Sequence, residues 1–194
     1  MAGRPKTFCE DELIDSATRV FWQKGYLGAS TQNLMAAMGV GQGSFYRSFP
    51  GGKQELYQKS LVRFLRGLIA GFYDGLEKST DPIAYLKSFF YSIVDRSSKT
   101  ICDGCFLGNA LVELSHVDTA TQKIAVEQVK QLKEGFKVAL LQGKEQGSLK
   151  TQKAPELLAV HLINLWNGIN LTQRMNPSDK ELRELLALNL SVLE

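Results

Sequence analysis

Two short groups of residues in this sequence carry side chains whose types and spacing suit chemistry. Cys102 and Cys105 stand in Cys-Asp-Gly-Cys, a spacing that fits a zinc pair or a reactive dithiol. Zinc asks for about four ligands, and without carboxylates only Cys9, His116 and His161 remain to complete a set. A dithiol enzyme expects its Cys pair beside a strand and a crossover helix, and no such pattern surrounds this one. Two readings stay open beside these: a regulatory thiol, and a small apolar residue in a core. The second group is Gln42, Ser44 and Arg47. On one short helix they make a small polar face with a single guanidinium. Such a face suits base edges, because Arg favours guanine O6 and N7 and Gln favours adenine. The plainer reading of Arg47 is a solvated surface charge. With two histidines, both inside apolar helical patterns, and no paired carboxylates or nucleophile motif, acid–base catalysis is poorly provided for. The expectation is a binding protein without metal or cofactor.

The elements that must position the second group lie between Ser30 and Phe49. Ser30 or Thr31 can cap a helix by accepting backbone N–H bonds. Leu34, Met35 and Met38 then fall on one apolar face, and Gly39 closes the helix, since glycine takes the left-handed conformation freely. Val40 supplies an apolar plug. A second helix from Gly41 to Phe49 turns Phe45 and Phe49 inward and leaves Gln42, Ser44 and Arg47 outside. Two short helices braced across a glycine turn predict a helix-turn-helix, whose second helix enters a DNA major groove. Ahead of it, Glu10 to Lys24 reads as a helix burying Leu13, Ile14, Ala17, Val20 and Phe21, ended by Gly25. Behind it, Phe49-Pro50-Gly51-Gly52 is a turn, and Lys53 opens a long helix through about Leu76.

These residues resemble the DNA-binding domain of the TetR family of transcriptional regulators, over Leu13 to Tyr57. The matching features are Phe-x-x-Lys-Gly-Tyr at Phe21 to Tyr26, the helix start at Thr31, Ala-Ala-Met-Gly-Val at Ala36 to Val40, and Gly-x-x-Tyr-x-x-Phe at Gly43 to Phe49. Lys53 follows at the next helix start, with Glu55 and Leu56 behind it. Gly41 stands where that family usually has Ser or Thr. The resemblance implies phosphate contacts at Thr31, Gln32, Tyr46 and Lys53, which set register without reading sequence. Tyr46 also suits half-buried packing. Arg4, in the N-terminal arm, is placed to enter an adjacent minor groove; a solvated tail is the alternative. Charge agrees with this reading. Residues 1–66 carry nine Lys/Arg against five Asp/Glu, and residues 67–194 carry fourteen against fifteen. The positive excess sits with the helix-turn-helix, as phosphate attraction requires.

The rest of the chain shows no sustained period-two alternation, and Gly, Asn and Pro punctuate further helical patterns. The expected fold is all-α with about nine helices. It comprises an N-terminal three-helix helix-turn-helix domain (1–52) and a C-terminal helical regulatory and dimerisation domain (53–194). In the last two segments, Leu157, Leu158, His161, Leu162, Leu165, Trp166 and Ile169 share one face. Leu182, Leu185, Leu186, Leu190 and Leu193 share another. These faces read as core or as partner surface. The family resemblance implies the latter: a homodimer through the last two helices, in a four-helix bundle bound to a near-palindromic operator. Asn189 in the final stripe either fixes register as a buried Asn does in coiled coils or lies satisfied at the edge.

Gly104, Cys105, Asn109 and Glu113 form Gly-Cys-x-x-x-Asn-x-x-x-Glu. This resembles a helix start in a branch of the family, some members of which respond to electrophiles or oxidants through a cysteine there. A thiol in a first helical turn feels the positive end of the helix dipole, which favours thiolate, while Asp103 opposes it. The other trigger is a small molecule held among Phe72, Phe89, Phe90, Tyr91, Phe106 and Trp166, residues that suit either a pocket or a core. The implied function is a repressor released by such an effector; the rival is a helical thiol-redox enzyme using Cys102 and Cys105. No apolar run is long enough for a membrane span, and the polar N-terminus lacks a signal region, so a cytoplasmic protein without membrane contact is expected.

Overall fold

A computed structural model places residues 9–95, 106–114, 118–175 and 177–194. The described residues form nine α-helices and no strand. They are α1 (Glu10–Gly28), α2 (Thr31–Met38), α3 (Gln42–Ser48), α4 (Gly52–Lys78), α5 (Pro82–Val94), α6 (Phe106–Leu114), α7 (Thr119–Glu145), α8 (Pro155–Thr172) and α9 (Asp179–Leu190). Short 3-10 turns follow α8 (Gln173–Met175) and α9 (Ser191–Leu193). No described helix is long and apolar enough to cross a membrane.

Local chemistry starts most of these helices. Asp81 accepts the N–H groups of Ile83 and Ala84 at the head of α5, with Pro82 in the first turn where its missing N–H costs nothing. Asp118 accepts from Ala120 and Thr121 at the head of α7. Ser178 and Glu181 form a reciprocal capping box on α9. The head of α4 has no capping side chain; instead Glu55 reaches back to accept the Gly51 N–H at 2.7 Å. The expected end of α1 at Gly25 is a kink. Gly25 leaves helical geometry with φ +71°, and a final turn continues to Gly28 before Ala29 donates back to the Gly25 carbonyl at 3.2 Å.

Two apolar clusters form the interior. One gathers Leu13, Ala17, Phe21, Leu34, Phe45 and Phe49 from α1 to α3 and the following turn, with Leu56, Tyr57, Leu61 and Leu65 from the first half of α4. It also takes in Phe106, Leu107, Ala110 and Leu114 of α6 and Ala125 of α7. The other joins Phe72 and Leu76 at the far end of α4 to α5, α7, α8 and α9. Leu68 packs against both. Each fully buried Leu or Phe contributes roughly 1.5–3 kcal/mol of transfer free energy, so α4 is stabilised from two sides.

The faces of α8 and α9 singled out from the sequence largely form this second core, with Leu185 packed at its margin. Leu158, Leu162, Leu165, Trp166, Ile169, Leu182, Leu186, Leu190 and Leu193 are buried within one chain. Leu157, although counted on the α8 face read from the sequence, is exposed, and with Val160 and Leu171 of α8, Met175 in the following turn and Leu188 on α9 it makes an exposed apolar stripe. Asn189 donates to the Leu185 carbonyl of its own helix at 2.9 Å, and its carbonyl meets His161 Nε2 at 3.1 Å. That histidine thus ties α8 to α9.

Candidate nucleic-acid interface

The site is built on α2 and α3. Ser30 caps α2 and Asn33 reciprocates: Asn33 N–H donates to Ser30 Oγ at 3.1 Å, and Ser30 N–H donates to Asn33 Oδ1 at 3.4 Å. Lys24 Nζ also donates to Asn33 Oδ1, at 3.1 Å, which ties the end of α1 to the head of α2. Leu34 and Met38 are buried while Met35 and Val40 pack at the margin. Gly39 takes φ +66°, and its N–H returns to the Ala36 carbonyl at 3.2 Å. The tight turn that aims α3 depends on this left-handed residue.

Along α3, Phe45 is 1% exposed and Phe49, just beyond the helix, is fully buried. Gln42 and Arg47 consequently face solvent and Ser44 is half-buried, so all three base-reading candidates keep solvent-accessible surface. Arg47 makes no ion pair among the described residues. Tyr46 shows the half-buried packing that suits its ring. It is 46% exposed, with its ring edge-on to Phe45 at 5.0 Å. Gln32 is exposed and Thr31 half-buried at the start of α2.

Lys53 has a partner within the chain. Its ammonium lies over the Tyr26 ring, 4.5 Å from the centroid, in a cation–π contact. Partial burial pulls it below the ordinary lysine range, and the Glu113 carboxylate pulls it back up. Sequence reasoning assigned no role to Tyr26 or Glu113, although both fall inside the motifs it picked out. Two further basic residues of the N-terminal half are committed to internal pairs. Arg63 holds Asp15 through two bonds of 2.6 and 2.8 Å and also meets Asp11. Lys59 bridges Glu10 and Glu55.

The residues assigned to sensing do not form one set. Phe89 stacks on Trp166 with centroids 5.5 Å apart and also meets Phe72 and Phe136, all in the second cluster. The indole N–H of Trp166 is buried and finds no acceptor among the described residues. Phe106 belongs to the other cluster, 5.6 Å from both Tyr57 and Phe64, because α6 packs on the helix-turn-helix side. A cleft of about 510 Å³ opens between α1, α6 and the end of α8, bounded by Trp22, Gly25, Asn109, Glu113, Leu171 and Arg174. Arg4, Cys102, Cys105 and His116 lie outside the described residues.

Comparison with known proteins agrees with this geometry. The model of bacterial regulatory proteins, tetR family, matches residues 13–59, and that of the tetracyclin repressor-like C-terminal domain matches residues 82–188. The HTH-type transcriptional repressor DhaR of Mycobacterium sp. (strain GP1) is 29% identical over 189 residues, covering 97% of this chain and 93% of its own. The uncharacterized HTH-type transcriptional regulator YezE of Bacillus subtilis (strain 168) is 25% identical over 194 residues, covering 99% and 100%. Among solved structures, a cysteine mutant of the TetR family regulator CifR complexed with 26-bp operator DNA superposes with a TM-score of 0.86. It is 22% identical and covers 98% of this chain and 100% of its own. The reduced form of NemR from E. coli gives 0.85 at 20% identity, covering 95% and 97%. At these identities the two structures show a shared fold.

Proposed function

The chain belongs to the TetR family of bacterial regulatory proteins, as a DNA-binding transcriptional regulator, and from that premise we propose that it is a homodimeric repressor released from a near-palindromic operator by an effector. The observation that carries the reading is the outward face of α3, where Gln42, Ser44 and Arg47 are held by two buried phenylalanines. In this reading those three address base edges, while Thr31, Gln32, Tyr46 and Arg4 contact backbone. Lys53 joins them if its ammonium leaves Tyr26. Functionally the chain divides near residue 52, with operator reading before it and sensing and dimerisation after it.

Dimerisation through α8 and α9 is supported by the exposed stripe. Leu157 is 61% exposed, Leu171 68% and Leu188 74%, and two-fold pairing would bury these side chains while doubling the site read. The test of the whole reading is fluorescence anisotropy on upstream DNA and on scrambled DNA across a salt series. The operator should bind at least ~10³-fold more tightly than scrambled DNA, with affinity falling steeply as salt rises. Arg47→Ala should weaken it by roughly 1–3 kcal/mol. Equal, weak binding to both DNAs over the whole upstream region would refute operator recognition.

Two triggers fit. One is covalent reaction at Cys105, which precedes α6 directly in sequence; the likeness to CifR, solved as a cysteine mutant, and to NemR, solved in a reduced form, favours it. An electrophile should weaken operator binding by wild type and not by Cys105→Ser. The other is a non-covalent ligand near Phe89 and Trp166, whose indole N–H lacks an acceptor among the described residues. Either acts only by binding one conformation better than another.

A further inference from the structure

Glu113, one residue before the end of α6, reaches out of the C-terminal half. Its Oε2 accepts the N–H of Tyr26 at 2.6 Å, across 87 residues of sequence. Tyr26 directly follows the kink at Gly25, so the bond closes the point where α1 departs from helical geometry. The carboxylate occupies the space the glycine leaves open: a Cβ at Gly25 would lie 2.1 Å from Glu113 Oε1. Gly25 is therefore constrained twice, by its φ of +71° and by the acid beside it. The Lys53 ammonium sits over the Tyr26 ring, which brings α1, α4 and α6 together around one carboxylate. A second polar link lies close by in sequence. At the head of α7, Asp118 accepts from Gln54 Nε2 at 2.7 Å and Thr121 accepts from Gln58 Nε2 at 2.8 Å. Both partners lie in the first turns of α4.

We propose that Glu113 is a positioning residue for operator recognition, a latch that holds the α1 kink to α6 and thereby fixes the angle at which α2 and α3 are presented. The latch rests on the operator-binding reading given above. Only Ala29 and Ser30 separate α1 from α2, and Lys24 is bonded to Asn33, so the end of α1 carries the head of α2 with it. A bond from a backbone N–H to a carboxylate is about twice as strong as a neutral one. Its loss leaves the Tyr26 N–H without its partner. In a dimer the two α3 helices must meet half-sites about 34 Å apart, and a small rotation at the kink displaces both. Because α6 starts at Phe106, an event at its head would reach Glu113 through about two turns of rigid helix. DNA release then needs no contact between effector and helix-turn-helix.

The test uses the full-length protein and its Glu113→Ala, Glu113→Gln and Gly25→Ala variants. Deuterium exchange is followed in peptides spanning residues 22–30 and, as an internal reference, 158–169. Operator and scrambled-DNA affinities are measured in parallel. Glu113→Ala should speed exchange at 22–30 and not at 158–169. It should weaken operator binding by about tenfold or more while scrambled DNA changes by less than about twofold, since phosphate attraction is untouched. Glu113→Gln should fall between, because its amide oxygen still accepts the N–H. Gly25→Ala expels the carboxylate from the other side, so its operator loss and that of Glu113→Ala should be strongly sub-additive in the double variant. Unchanged exchange at 22–30 in Glu113→Ala overturns the latch, and so does faster exchange with wild-type operator affinity. Should wild type prefer no operator, the operator reading fails on its own while the exchange measurement still decides whether the carboxylate holds the kink.

Discussion

Gly41 caps α3 without a side-chain bond, at φ −82° and ψ 166°, and nothing lies within 4 Å of where its Cβ would be. Serine suits that extended geometry and would add the missing acceptor while narrowing the unfolded ensemble. Gly41→Ser should therefore raise the unfolding free energy by about 0.5–1 kcal/mol, measured by urea titration; a loss of stability would mean the cap is not what limits α3. Side-chain type was legible at this scale, and side-chain direction was not. Gln42 and Arg47 face solvent as read, because Phe45 and Phe49 leave their helix no other orientation. The contact of Lys53 with Tyr26 is not legible, since nothing local in sequence announces an aromatic ring 27 residues away. Phe106 was grouped with Phe89 and Trp166 by chemistry, whereas the packing of α6 puts it beside Tyr57. Such long-range pairings carry no local periodicity.

Seven-residue α3 is too short to persist alone, and the elements that hold it are themselves braced by charge. Arg63 and Lys59 of α4 clasp Asp11, Asp15 and Glu10 in the first turns of α1. The side chains are 37–62% exposed, so salt should weaken the clasp. The bond from Arg63 holds the Asp15 carboxyl below its usual 3.8. A carboxyl depressed in the folded state contributes stability that is whole above the unfolded value and is lost as pH falls through the folded one. Asp15→Asn should accordingly lower the thermal midpoint at pH 6, and its difference from wild type should shrink as pH falls below about 4. A constant difference would assign the effect to packing. Caps and glycines make the element boundaries of the helix-turn-helix legible, including the head of α2 at Ser30 and its end at Gly39. The extra turn of α1 beyond Gly25 is not, because it depends on a carboxylate from α6.

For the whole molecule, the exposed stripe on α8 yields the plainest expectation. Val160→Asp places a charge on a surface that lies outside both buried clusters. It should leave the fold intact and shift sedimentation from dimer to monomer, because a charge buried at an apolar interface costs several kcal/mol. Operator affinity should fall with it; a variant that stays dimeric would move the interface elsewhere. Apart from Leu157, this stripe is masked in the sequence by a stronger pattern, the leucines that α8 and α9 turn toward their own core. The division between reading and sensing is likewise blurred by packing. The first apolar cluster draws on α6 and α7 as heavily as on the first half of α4, so the helix-turn-helix does not own its interior. Grafting it onto another regulator is therefore constrained. A chimaera joined at residue 52 would pair a foreign α4 and α6 with Phe21, Phe45 and Phe49. Transplanting the operator preference of this chain intact means exchanging the opening half of α4 and all of α6 along with it.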